Sequence, residues 1–208
     1  MAEPVQYASL LNPAPPVPPP LAKLLSDVLS PAVTVSALLL VVSLHGSATI
    51  WQGLAWGLIS VCFVTAIPYG FVAHGVRQRR YSDIHVGVRG QRPVILVLAI
   101  CSLVLGLAAL FVFHGPRDVV ALVVAMGIGL MAALAITLVW KVSVHAAVMA
   151  GAATVLTLVF GPPMALTVVF VLAVAWARVA KGDHTLAQVL VGALVGGAVA
   201  YLTFPPLR

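Results

Sequence analysis

Acidic side chains are scarce in this chain: Asp and Glu together number 5 among 208 residues. That scarcity disfavours a hydrolytic metal centre built on carboxylates, which needs several acids or histidines at ligand spacing. Charge of either sign is also short, at 8% of residues, where soluble domains carry roughly 25%. No polar stretch is long enough to enclose a core of its own, so no soluble domain is expected. The two cysteines, Cys62 and Cys101, both lie in apolar runs. They exclude a disulfide framework and a thiolate metal pair, and read as small core or lipid-facing residues.

What fills the chain is hydrocarbon. Hydrophobic residues make up 62% of it, and the mean hydropathy is +1.14. The solvent of this protein is therefore lipid, and the expected fold is all-α, a polytopic transmembrane helix bundle of six to seven spans. The net charge of +6 is carried by few residues, so its placement matters more than its sum. No nucleic-acid partner is expected, and membrane lipids are the surroundings.

Residues 1–20 contain seven prolines and no continuous apolar core. They read as a disordered, polyproline-like tail rather than a secretory signal. Residues 21–208 are expected to form a single transmembrane domain. It opens with "LAKLLSDVLS" at 21–30, where apolar residues at helical spacing flank Lys23, Ser26 and Asp27; this predicts an amphipathic interfacial helix. Candidate spans follow at 31–46, 50–73, 93–113, 119–140, 144–160, 163–177 and 185–204, broken by Gly-, Pro- and charge-bearing turns. The spans at 144–160 and 163–177 are short. Gly192 and Gly196 form a small-xxx-small pair that permits close helix approach.

Counting crossings brings three polar segments to one membrane face: 74–92, "KVSVH" at 141–145 and "ARVAKGDHTLAQ" at 177–188. That face collects Arg89, Arg92, Lys141, Ser143, His145, Arg178 and His184. The opposite face holds His45, His114, Arg117, Asp118 and Arg208. Two histidines among several fixed cations suit phosphoryl transfer. Guanidinium and ammonium groups neutralise non-bridging oxygens, one imidazole attacks phosphorus, and another protonates the leaving oxygen.

These residues resemble the signatures of the type 2 phosphatidic acid phosphatase superfamily, in order, over roughly residues 85–195. "HVGVRGQRP" has His85, six residues, then Arg92-Pro93. "KVSVH" keeps Ser143 and His145 of the second signature, preceded by Lys141. "ARVAKGDHTLAQ" has Arg178, five residues, His184, three residues, then Gln188. The chain departs from the pattern at His85 for lysine, at Val142 and Val144 for proline and glycine, at Ala177 for serine and at Gln188 for aspartate. Arg89 or Lys141 is a candidate for the cation that His85 replaces, and Asp83 or Asp183 for the carboxylate that Gln188 replaces.

The resemblance implies a nucleophile at His184, a general acid at His145 and an orienting partner at Gln188. It implies that Arg92, Arg178 and Lys141 hold the phosphate, with Ser143 as a hydrogen-bond donor and Arg89 and His85 as further candidates. It implies no cofactor and no metal, and a lipid phosphate as substrate: a phosphomonoester or diphosphate on a polyprenyl chain or glycerolipid. The alternative is a phosphate-lipid binding or transport protein that uses the same pocket without hydrolysis, a reading favoured by Gln188. The expected location is a bacterial cell membrane with the site facing the cytoplasm.

Overall fold

A computed structural model of the chain describes residues 19–81 and 89–208. The tail expected at 1–20 lies outside these residues except for its last two, as do Asp83 and His85. Every regular element among the described residues is helical. Hydrocarbon offers no partner for a bare backbone N–H or C=O, so a chain this apolar satisfies its main chain within each segment.

The elements are α1 (Pro20–Val28), α2 (Pro31–His45), α3 (Ile50–Val61), α4 (Ile67–Arg77), α5 (Arg92–Val112), α6 (Arg117–Val139), α7 (Val144–Phe160), α8 (Val168–Ala180) and α9 (Leu186–Leu207). A π-helical turn, Cys62–Ala66, joins α3 to α4, and a 3-10 turn, Pro162–Thr167, leads into α8. Among the described residues six helical stretches are long and apolar enough to cross a membrane: Pro20–His45, Ile50–Arg77, Pro93–Val112, Arg117–Val139, Pro162–Ala180 and Leu186–Leu207. The shorter seventh is α7, with 17 residues, about 25 Å at the helical rise. Local thinning of the bilayer accommodates that length. The six to seven spans read from the sequence are thus the spans of the fold.

Sequence and structure differ at the seams. The second span continues to Arg77 without a stop, because the π turn carries the chain through Pro68. A π turn widens the ladder and frees a carbonyl; here the Phe63 oxygen accepts a 2.5 Å hydrogen bond from Ser102 Oγ on α5. The last helix runs three residues past the expected end, through Pro205 and Pro206.

The core sits where α2, α5, α6, α7 and α9 meet. Leu39, Val42, Leu110, Val119, Leu122, Val123, Val155 and Phe204 are all fully buried there. Residues as apolar as these face outward too, among them Leu105, Val139, Leu172 and Leu194. Lipid makes burial of such side chains nearly neutral, so close packing rather than hydrophobicity holds the helices together. The tightest example is α7 against α9. A Cβ on Gly192 would stand 2.5 Å from the Ser143 carbonyl oxygen, and one on Gly196 would collide with the Ala147 carbonyl. The small-residue pair read from the sequence brings these two backbones into contact.

Candidate active site

The first polar break between helices starts at Trp140, whose extended backbone ends α6. Ser143 then caps α7: its Oγ accepts the Ala146 N–H at 3.4 Å. That cap puts His145 in the first turn of α7, 5% exposed. A helix N-terminus concentrates partial positive charge and favours a bound anion.

The second break turns α8 back into α9. Arg178 stands in the last turn of α8 and is only 2% exposed. Gly182 takes φ +70°, a conformation that costs a residue without Cβ little. The turn folds back so that the His184 N–H donates to the Arg178 carbonyl at 3.2 Å. Asp183 Oδ2 pairs with Arg178 Nη1 at 3.0 Å and Lys181 Nζ at 3.3 Å.

Thr185 caps α9 in a capping box with Gln188: Thr185 Oγ1 accepts the Gln188 N–H, and Gln188 Oε1 accepts the Thr185 N–H. The same Oε1 stands 3.2 Å from His184 Nδ1. The Thr185 N–H can only donate, so the atom it meets must be the amide oxygen. That oxygen can only accept from His184, so Nδ1 carries the proton in the neutral ring and Nε2 keeps its lone pair. A nucleophilic imidazole needs that tautomer.

Two hydrogen bonds lock the breaks together. Lys141 Nζ donates to the Asp183 carbonyl at 2.5 Å, and the Ser143 N–H donates to the Gln188 carbonyl at 3.2 Å. The glycine contact between α7 and α9 lets them form. His145, Arg178 and His184 then line one cavity of about 980 Å³, together with Asp27 and Ser30. Its remaining walls are mostly apolar and come from α2, the end of α3, the π turn, α4, α5 and Val144 at the start of α7. It shares Pro31, Ala32, Thr65, Tyr69, Ile95 and Val144 with a deeper apolar cavity of about 290 Å³ between the spans.

The structure thus brings together His145, Arg178, His184, Gln188, Lys141 and Ser143. Ser143 is fully buried and its bonds position α7, and it is not among the residues lining the cavity. His85 lies outside the described residues. Arg89 and Arg92 are described by their backbone alone, in the turn that starts α5 and at its first residue. Ile95 and Leu96, in the next turn, line the cavity.

Sequence reasoning missed three things. Ser26 on α1 accepts a hydrogen bond from Arg178 Nη1 at 3.2 Å, and Asp27 borders the cavity. The capping box was readable as Thr185-x-x-Gln188, the spacing that reciprocal capping requires. For Ser26 the signal was weak, because a serine on an amphipathic helix reads as part of its wet face.

Fold and site define a polytopic helical membrane protein with a histidine- and arginine-lined cavity at one end of its bundle. Residues 140–206 match the family model of the PAP2 superfamily, the superfamily that the motifs resemble. The matched segment holds Lys141, Ser143, His145, Arg178, His184 and Gln188, and the match indicates phosphoesterase chemistry in general. No curated protein and no solved structure matches the chain.

Proposed function

We propose that this protein hydrolyses the phosphomonoester or diphosphate group of a membrane lipid through a phosphohistidine intermediate, from the cytoplasmic face of a bacterial cell membrane. The observation that carries the reading is the 980 Å³ cavity, with His145, Arg178 and His184 on its wall and hydrocarbon over most of the rest. Such a shape takes a phosphate at one end and an apolar chain along the other.

His184 Nε2 attacks phosphorus and the ester P–O bond breaks, while His145 gives its proton to the departing oxygen. Water then attacks the phosphohistidine, His145 takes the water proton, and inorganic phosphate leaves. Arg178, on the cavity wall, neutralises the non-bridging oxygens. Lys141, held beside it on the Asp183 carbonyl, and Arg92, at the start of α5, are the further candidates. Polyprenyl and glycerolipid phosphates both fit this description.

The test is phosphate release from a panel of lipid phosphates by the purified protein. Release should fall about a thousandfold or more in His184→Ala, the loss expected for a nucleophile, and should survive a chelator. Activity unchanged in His184→Ala, or abolished by the chelator, sinks the mechanism. One observation favours a second reading, lipid-phosphate binding without turnover: the partner of His184 Nδ1 is a neutral amide. Tight binding of lipid phosphate with no release supports that reading.

A further inference from the structure

The amphipathic helix α1 lies outside the matched segment 140–206, yet it touches the site. It packs against α8 through its small residues rather than its leucines. Leu21, Leu24 and Val28 are more than half exposed, whereas Ala22 and Ser26 are fully buried. The side with Ala22 and Ser26 faces protein, and Leu21 and Leu24 face outward together with Lys23 and Asp27. Ser26 is thereby pressed against Arg178, 152 residues further along the chain, at a Nη1–Oγ distance of 3.2 Å. The next residue, Asp27, reaches the wall of the same cavity as Arg178, His145 and His184.

The geometry around Arg178 gives this contact meaning. Nη1 carries two hydrogens, and it has two oxygen partners, Asp183 Oδ2 at 3.0 Å and Ser26 Oγ at 3.2 Å. Asp183 belongs to the turn after α8 and moves with it. Ser26 comes from a separate helix and supplies an independent fixed point. A second acceptor on the same nitrogen, held by a different helix, narrows the orientations open to the guanidinium plane. Arginine recognises phosphate through a rigid planar fork, so its plane decides whether the fork meets two phosphate oxygens or one.

We infer that α1 is a structural part of the phosphate site and that Ser26 is a positioning residue, acting through Arg178 to set the guanidinium plane for the phosphoryl group. This rests on the phosphate-site reading above and does not require turnover. The consequence is that the site is complete only when α1 is seated on α8.

The experiment measures binding of inorganic phosphate to the purified full-length protein, with thermal stability recorded in parallel. Ser26→Ala removes the hydroxyl and little volume; it should weaken phosphate binding about tenfold, the scale of one hydrogen bond to a charged group, with Tm held. Ser26→Thr should restore binding. If Ser26→Ala lowers Tm, Ser26→Cys decides, since it keeps the volume and weakens the acceptor: weaker binding at native Tm supports the positioning role. Phosphate affinity unchanged in Ser26→Ala or Ser26→Cys overturns it, as does a loss that tracks Tm and is not rescued by threonine. A wild type that binds phosphate but releases none from lipid fails the hydrolase reading alone, and the Ser26 comparison still stands. A wild type that binds no phosphate overturns both.

Discussion

Gln188 performs two tasks with one oxygen. It closes the capping box of α9 and accepts from His184 Nδ1. In the proposed mechanism the His184 ring gains positive charge as it attacks phosphorus, and a neutral amide stabilises that charge less than a carboxylate does. Replacing the acid of a comparable triad by its amide leaves geometry intact and slows catalysis by orders of magnitude. Gln188→Glu keeps length and cap and adds the charge. Phosphate release should therefore rise, and Gln188→Asp should keep or raise it. Lower turnover in a folded Gln188→Glu would show that charge there is not limiting. The pH profile reports on the two imidazoles. Under that mechanism protonation of His184 on the acid side removes the attacking lone pair and deprotonation of His145 on the alkaline side removes the proton donor, so the rate should be bell-shaped. His145→Ala should lose the alkaline limb; a flat profile across the histidine range argues against paired imidazoles. At this scale the spacing of Arg178, His184 and Gln188 was legible in the sequence because it lies in one turn. Ser26 was not, because its partner stands 152 residues away.

The helical spans were legible because length and apolarity alone decide whether a segment crosses hydrocarbon. Which face of a span turns inward was not, since lipid and core accept the same side chains. Helix α1 shows the difficulty: Ser26 faces protein, while Lys23 and Asp27 are exposed together with Leu21 and Leu24. The glycines of α9 show the exception, because close approach demands small residues at fixed spacing. A Cβ at position 196 meets the carbonyl of Ala147, whereas one at 197 has its nearest neighbour, Thr154 Oγ1, at an ordinary 3.6 Å. Backbone cannot rotate aside as a side chain can. Gly196→Ala should therefore destabilise the protein by about 1–3 kcal/mol, as overpacking does, and should displace the Ser143–Gln188 hydrogen bond that joins the two motifs. Gly197→Ala should be near neutral. Thermal unfolding of the two variants in detergent checks the contrast, and equal effects would remove the special role of position 196.

The whole molecule has two unlike ends. At one end Arg178, His184, His145 and Lys141 gather, with Arg77, Arg79 and Arg80 exposed at the C-terminal end of α4. At the other, Arg208 is held by Asp118 at 3.3 Å and by the Leu158 carbonyl at 3.0 Å, and His45 packs its ring on Phe160 at 4.8 Å. Nine of the 11 Lys and Arg belong to segments at the motif end, with Arg117 and Arg208 at the other. Site cations bias that count, but leaving out Arg89, Arg92, Lys141 and Arg178 still leaves five against two. Short cytoplasmic loops carry the excess of Lys and Arg, so the motif end is predicted to face the cytoplasm. Seven crossings, with the short α7 counted as one, then put the C-terminus outside. Single-cysteine labelling tests this in a background with Cys62 and Cys101 replaced. Gln78→Cys should resist a membrane-impermeant maleimide in intact cells and react after permeabilisation, while Leu207→Cys should react without it. Reaction at position 78 in intact cells would invert the molecule, place the site outside, and shift its substrates to lipid phosphates exposed on the outer leaflet.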